Sequence, residues 1–76
     1  MIDWDRFNDF HAMNFRPIED LLFEKMADHT YLIVGYIWDS LKLSLESGYI
    51  DQDKFESKWI EQKNILIEMV SNANPL

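Results

Sequence analysis

The uncharged run at residues 31–38 limits the possible folds of this chain more than any other feature. It reads YLIVGYIW, a composition that also suits a β-strand. No other segment has the pattern of a strand that could pair with it, and a strand alone is not stable. A heptad seam, with alternating intervals of four and three residues, runs through the segment and indicates a helix. The seam consists of Ala27, Tyr31, Val34, Trp38, Leu41 and Leu45.

A second apolar stripe lies beside this seam and extends the predicted helix toward the N-terminus. Pro17 suits the first turn of a helix and Gly48 suits a C-terminal cap, so the pattern predicts one helix over 17–47. A break at 28–30 is left open. Two stripes indicate burial on two sides, and Gly35 would allow the close approach of a neighbouring helix. The second stripe consists of Ile18, Leu22, Met26, Ile33 and Ile37.

Two further helices flank the central one in the predicted fold. Asp3 can cap a short helix over 3–13, and Asp51 can cap a helix over 51–71. The short turn before the last helix makes it and the central helix an antiparallel hairpin. The apolar positions are Trp4, Phe7 and Phe10 in the first helix and Phe55, Trp59, Leu66, Met69 and Val70 in the last. The sequence therefore predicts an all-α fold.

The chain length predicts a single domain, 1–76, that forms a homodimeric bundle. A chain of 76 residues buries only ~60% of the surface of its unfolded state, so its own core is small. It contains no cysteine, which excludes disulfides as additional support. A second copy would cover the stripe that the short flanking helices leave open. The predicted oligomer interface consists of Tyr31, Val34, Trp38 and Leu41.

The charge balance argues against direct binding to nucleic acids. Fourteen acidic residues oppose seven basic ones, which gives a net charge of −7, whereas phosphate binding depends on Lys and Arg. The N-terminus has no basic region followed by an apolar stretch, so no signal peptide is expected. The longest apolar run is far below the ~20 residues that span a membrane. We therefore expect a cytoplasmic protein that does not bind membranes.

Four carboxylates form the candidate acidic face, Asp20, Glu24, Asp28 and Asp39. The first three are spaced by four residues and would follow one side of a helix. This spacing allows three interpretations. The carboxylates can be a solvated surface, a docking face for a basic partner, or, together with the adjacent His29, a metal site.

Four aromatic residues near the N-terminus are candidate anchors for a protein partner, namely Trp4, Phe7, Phe10 and Phe15. They stand among acidic residues, and aromatic side chains surrounded by charge are typical of protein interfaces. The alternative is that they dock on the rest of this chain.

No motif in the sequence indicates catalysis or a cofactor. There is no glycine-rich phosphate loop and no Glu-x-x-His pair of the kind that bundle metal sites use. We therefore predict a small acidic interaction protein, not an enzyme, that docks on a larger protein and modulates or inhibits it. It could be a phage- or mobile-element-encoded antagonist of a nucleic-acid enzyme whose acidic face imitates phosphates. The alternatives are an assembly subunit with a permanent helical interface and a carboxylate-ligated metal protein.

Overall fold

The computed structural model of the chain describes residues 1–26 and 31–73. These residues form four helices and no strand, so the all-α prediction is confirmed for the described part of the chain. The helices are α1 (Trp4–Asn14), α2 (Arg16–Lys25), α3 (Leu32–Glu46) and α4 (Gln52–Ala73). No helix within these residues combines the length and the apolar character that crossing a bilayer requires.

The prediction of one helix over 17–47 is wrong, because α2 ends at Lys25 and α3 begins at Leu32. Met26, which follows α2, has an extended backbone with φ −105° and ψ 138°. The sequence that follows contains Asp, His and Thr, which have low helix propensity and favour caps and turns. The break that the sequence left open at 28–30 lies outside the described residues. The apolar pattern therefore continued across an interruption of the helix.

The boundary between α1 and α2 is a bend at a single residue, Phe15. Its φ of −97° and ψ of −52° remain helical, and its N–H donates to the His11 carbonyl at 2.9 Å. Pro17 follows in the first turn of α2. An N–H at this position has no partner within its own helix, so proline can stand here without the loss of a hydrogen bond. At the other end of α1, the Asp3 carboxylate accepts a hydrogen bond from the Arg6 N–H at 3.1 Å, as the predicted cap requires.

The connection between α3 and α4 has the predicted chemistry. Gly48 has a φ of +80°, in the left-handed region that closes many helices and that residues with a Cβ adopt at a cost. The Tyr49 N–H donates to the Ser44 carbonyl at 3.0 Å, so the last turn of α3 retains a partner. The Asp51 carboxylate accepts from the Lys54 N–H at 2.7 Å and caps α4. The chain therefore reverses direction within five residues.

The core is built around a cluster of aromatic rings. Residues of all four helices either belong to this cluster or pack against it. Trp38 of α3 lies at its centre, with its ring centroid 5.0 Å from both Phe55 and Trp59 of α4. Phe7 and Phe15 approach Trp38 at 5.3 and 5.1 Å from the other side. The aliphatic members of the core are Ile18, Leu22, Val34, Leu45, Leu66 and Val70. The central seam is thus covered by the chain itself.

Two polar clamps hold α1 against α4. At the N-terminal end, the Arg6 guanidinium donates to Glu56 at 2.8 and 3.0 Å and to Asp53 at 2.6 Å. Asp3 and Gln52 exchange reciprocal hydrogen bonds beside this pair, at 3.0 and 2.8 Å. Each contact joins residues almost fifty positions apart in the sequence, so the clamp fixes tertiary structure and not a local turn.

The second clamp lies at the C-terminal end of α1. The Trp59 indole Nε1 donates to the Asn14 carbonyl at 3.0 Å, and the Lys63 ammonium donates to the Asn14 Oδ1 at 3.1 Å. A buried indole N–H without an acceptor would be costly, so this bond permits Trp59 to be fully buried. Among the described residues, no buried side-chain nitrogen or oxygen lacks a hydrogen-bond partner.

Candidate interaction surfaces

The predicted acidic face is divided between helices. Asp20 and Glu24 are exposed one turn apart on α2, and Asp39 is exposed on α3. The fourth carboxylate, Asp28, lies outside the described residues. Within those residues Asp20 and Asp39 form no ion pair, and the Glu24 carboxylate lies 4.0 Å from the Lys25 ammonium. The structure therefore leaves these carboxylates accessible, but it places them on two helices instead of one.

Two cations, Arg6 and Lys42, are engaged by other groups of the chain. Arg6 is held by two carboxylates, and this pairing raises the pKa of its guanidinium, first through the hydrogen bond to Glu56 and then through that to Asp53. The Lys42 ammonium lies 5.8 Å from the centre of the Phe7 ring, within the range of a cation–π contact. These contacts hold the two cations against the chain and leave its net charge of −7 unchanged.

The four predicted aromatic anchors belong mainly to the chain's own core. Phe7 and Phe15 are buried and Phe10 is half-buried. Trp4 remains partly accessible at the edge, where its ring contacts Phe7 at a centroid distance of 5.3 Å. Buried rings cannot anchor a partner without unfolding α1, so this placement corresponds to the alternative of docking on the rest of the chain.

The predicted oligomer interface is also largely internal. Val34 is fully buried and Trp38 is 4% exposed, while Tyr31 and Leu41 are half-buried. A second copy could not reach Val34 or Trp38 in this fold. The physical reason is that α1 and α2 cover the seam together with α4, a contribution that the sequence did not resolve.

The opposite side of α3 is apolar and accessible, and we call it the α3 outer face. Its apolar members are exposed, most strongly Tyr36 at 74% and Leu43 at 65%. Ser40 stands between them, one turn from each, and is also exposed. The spacing of these positions by three, four and seven residues places them on one side of the helix. The complete face consists of Leu32, Ile33, Tyr36, Ser40 and Leu43.

A shallow groove separates this face from α4. It has a volume of about 360 Å³ and is lined mainly by apolar side chains. Its lining residues are Tyr36, Ile37, Ser40 and Leu41 from α3 and Gln62 from α4. Ile65 and Met69 follow Gln62 at intervals of three and four residues, so they continue the apolar surface along α4 on the side of the groove.

The two apolar stripes that were assigned from the sequence leave out most residues of the α3 outer face, although the sequence contains an apolar spacing that corresponds to this face. Leu32, Tyr36 and Leu43 are themselves spaced by four and seven residues, so a third stripe was present. Three stripes make α3 apolar around most of its circumference. Only the packing of the other helices decides which stripe remains exposed to solvent. Gly35 is a related case, because no described atom beyond its chain neighbours and the adjacent backbone of its own helix lies within 4 Å of where its Cβ would stand.

His11 is the histidine within the described residues, and its surroundings are aromatic. Its ring stacks on Phe15 at a centroid distance of 4.6 Å and meets the edge of Trp38 at 5.1 Å. Burial lowers the pKa of His11, and the positive charges of Arg16 and Lys42 lower it further, against a smaller opposing effect of Glu19. The position is that of a side chain packed at the edge of the core.

No metal site is assembled in the described residues. Within 1–26 and 31–73, no group of three or more His, Asp and Glu side chains is placed so that it could hold a metal ion. Asp28 and His29, which belonged to the metal interpretation of the acidic face, lie outside this part of the chain.

The chain was also compared with known proteins. No protein-family model, curated protein or solved structure matches it.

Proposed function

We propose that this chain is a non-enzymatic interaction protein that docks on a larger, basic protein and modulates or inhibits it. The observation that carries the proposal is the accessible acidic surface of a small folded chain. Asp20, Glu24 and Asp39 are exposed, whereas Arg6 and Lys42 are engaged internally. Surface charge of one sign accelerates encounter with a partner of the opposite sign and selects against partners of the same sign.

The basic surface of a nucleic-acid enzyme is the most specific partner that this charge suits. Such enzymes bind phosphates through Lys and Arg, and a protein that presents carboxylates can occupy the same surface. In this version the chain is a phage- or mobile-element-encoded antagonist, it acts in the cytoplasm, and Asp20, Glu24, Asp28 and Asp39 imitate phosphates. Asp20 and Glu24 lie on α2 and Asp39 lies on α3, so the imitation would extend over a surface instead of along one helix.

A second candidate function is that of an assembly subunit with a permanent helical interface. The α3 outer face favours it, because soluble monomers rarely leave contiguous apolar surface of this kind exposed. A homodimer remains part of the proposal, although Val34 and Trp38 are internal and a second copy would need another surface. The carboxylate-ligated metal protein has no supporting observation among the described residues.

The first candidate is tested by reversing charge on the acidic face. The variant Asp20→Lys/Glu24→Lys/Asp39→Lys is immobilised beside the unaltered chain and challenged with purified basic polymerases and nucleases. We expect the unaltered chain to capture one of them in a salt-sensitive manner and duplex DNA to compete. The variant should lose this capture, because each exchange replaces an attractive charge by a repulsive one.

A matched control separates the acidic face from net charge. The variant Asp9→Lys/Glu46→Lys/Glu68→Lys changes three other exposed carboxylates and gives the same net charge as the first variant. It should retain capture. Equal capture by both variants, or equal loss in both, would remove the proposed role of Asp20, Glu24 and Asp39.

A further inference from the structure

We infer that the exposed Phe23 ring and the carboxylates of Asp20 and Glu24 form a site on α2 for an arginine side chain of the larger protein. The inference rests on the proposed function, because it uses the same acidic face and specifies which cation that face takes. Carboxylates alone would attract lysine and arginine alike. A ring among them selects arginine, whose planar guanidinium stacks on aromatic faces.

Phe23 is a large apolar side chain on the solvent side of α2. It is 68% exposed, although its ring meets Tyr31 in a T-shaped contact at a centroid distance of 5.1 Å. The buried residues of α2, Ile18 and Leu22, lie on another side of the helix by their spacing. The contact with Tyr31 limits the motion of the ring, so a ligand that stacks on it orders little that is not already ordered. Exposed aromatic rings of this kind are typical anchors of protein interfaces.

Two exposed carboxylates adjoin this ring. Asp20 precedes Phe23 by three residues, a spacing that makes them neighbours on a helix surface with ~5–6 Å between their Cβ atoms. Glu24 follows Asp20 by four residues and lies one turn away on the same side. Within the described residues Asp20 forms no ion pair, and Glu24 has a single contact with Lys25 at 4.0 Å. A guanidinium that stacks within ~6 Å of the ring centre can therefore reach these carboxylates.

The chain holds cations of its own by the same two means. The Arg6 guanidinium donates to Asp53 at 2.6 Å and to Glu56 at 2.8 and 3.0 Å, and these carboxylates lie one turn apart on α4. The Lys42 ammonium lies 5.8 Å from the centre of the Phe7 ring. The first arrangement shows that two carboxylates one turn apart on a helix hold a guanidinium, and the second that a phenylalanine ring here receives a cation. The outer side of α2 presents a ring and two carboxylates together.

The charges near Phe23 favour a cation from another protein. Glu19 precedes Phe23 by four residues and adds a third carboxylate. Arg16 lies further toward the N-terminus on the same side and forms no ion pair within the described residues, and Lys25 lies on the opposite side of the helix by its spacing. In the same part of the chain, no cation lies over the Phe23 ring. Three carboxylates therefore stand against one cation on this side of α2, and the ring is available to a ligand.

The test compares two peptides of equal charge, one of alternating arginine and glycine and one with lysine in place of every arginine. Each is titrated at low ionic strength into the isotope-labelled full chain, and amide chemical shifts in NMR spectra report the dissociation constant and the position of binding. We expect the arginine peptide to bind roughly threefold more tightly, because a guanidinium can stack on the ring and donate paired hydrogen bonds at the same time. The largest shifts should lie in α2.

Three variants isolate the contribution of the ring. Phe23→Leu keeps an apolar side chain and should bind the arginine peptide as weakly as the lysine peptide, with unchanged helix content in circular dichroism because the position is exposed. Phe23→Trp should retain the preference or increase it, since indole rings bind cations most strongly. The matched control is Tyr49→Leu, which removes a ring that is 84% exposed in the turn after α3. It should leave the preference unchanged.

Several results would overturn the arginine site. These are equal affinity of the unaltered chain for the two peptides, binding of neither peptide, and largest amide shifts outside α2. A preference that persists in Phe23→Leu would also overturn it, because the ring would then not select the cation. The same holds for a preference that is lost in Phe23→Trp or in Tyr49→Leu as fully as in Phe23→Leu.

The same variants separate this inference from the proposed function. Phe23→Leu should still capture a basic protein in a salt-sensitive manner, but more weakly, whereas the charge-reversed variant at Asp20, Glu24 and Asp39 should lose both capture and peptide binding at α2. Preferential binding of the arginine peptide without capture of any polymerase or nuclease would contradict the proposed function and support the arginine site. Unchanged capture by Phe23→Leu, together with equal binding of the two peptides, would contradict the arginine site and leave the proposed function in place.

Discussion

The two sides of α3 have similar residues and opposite surroundings. On the inner side Trp38 touches rings from α1 and α4 and is 4% exposed, whereas Tyr36 on the outer side, two positions earlier, is 74% exposed. Both are large aromatic residues of the same uncharged run. The spacing of the apolar residues indicates that this segment is a helix, while the packing of that helix against its neighbours decided which of its residues form the core.

The largest effect is expected when Trp38 and Tyr36 are truncated in turn. Trp38→Ala should lower the free energy of unfolding by about 3–5 kcal/mol, because it opens a cavity at the centre of the ring cluster. Tyr36→Ala should change the stability of the monomer by less than ~0.5 kcal/mol, as expected for an exposed position. Urea unfolding at low protein concentration measures both values. Similar losses for the two variants would show that the outer side is covered within one chain.

A smaller effect is expected on a third side of α3, at Gly35. Glycine inside a helix is less favourable than alanine by about 1 kcal/mol, and a Cβ at this position would have no described atom within 4 Å beyond its chain neighbours and the adjacent backbone of its own helix. Gly35→Ala should therefore raise the free energy of unfolding by up to ~1 kcal/mol. Thermal unfolding measures this value. A destabilised variant would mean that another segment packs against Gly35.

The smallest effect is expected from the titration of His11 at the edge of the inner cluster. Its pKa in the folded state is lowered from the ordinary 6.5, so the unfolded state takes up a proton first as pH falls. Stability should be complete above about pH 6.5 and should decrease as pH falls through that value, until the folded state is protonated as well. His11→Phe, which keeps a ring against Phe15, should remove this part of the pH dependence.

The effect of His11 is measured as the difference in the free energy of urea unfolding between the unaltered chain and His11→Phe across a pH series. This difference cancels the titration of carboxylates and of His29, which both chains share. Parallel curves for the two chains between pH 7 and pH 5 would contradict a lowered pKa at His11.

Local features of the fold were largely predictable from the sequence. Asp3 and Asp51 cap helices as expected, and Gly48 adopts the left-handed conformation of a helix end. Each of these depends on a few adjacent residues, whose backbone geometry and hydrogen bonds are set within one turn. The length of the central helix was not predictable in this way, because its apolar pattern ran across the gap between α2 and α3.

The candidate surfaces were predictable in composition but not in position. The exposure of Asp20, Glu24 and Asp39 agrees with an acidic surface, although no observation assigns that surface a partner. Among the aromatic candidates, Phe7 and Phe15 are core residues because their rings pack against Trp38, while Arg6 and Asn14 form polar contacts that join α1 to α4. Contacts between residues almost fifty positions apart leave no pattern in a short stretch of sequence. From the sequence alone, Asp53 and Glu56 could equally be interpreted as a capping pair of α4.

The helical, acidic and cysteine-free character of this chain follows from its amino-acid sequence alone, as do the approximate ends of α1 and α4. These properties depend on composition and on interactions within one or two turns. The positions of Trp38 inside and Tyr36 outside depend on long-range packing. The reason is that α3 offers apolar residues on several sides and its neighbours cover only some of them, so the packing of α1, α2 and α4 selects the side that remains exposed.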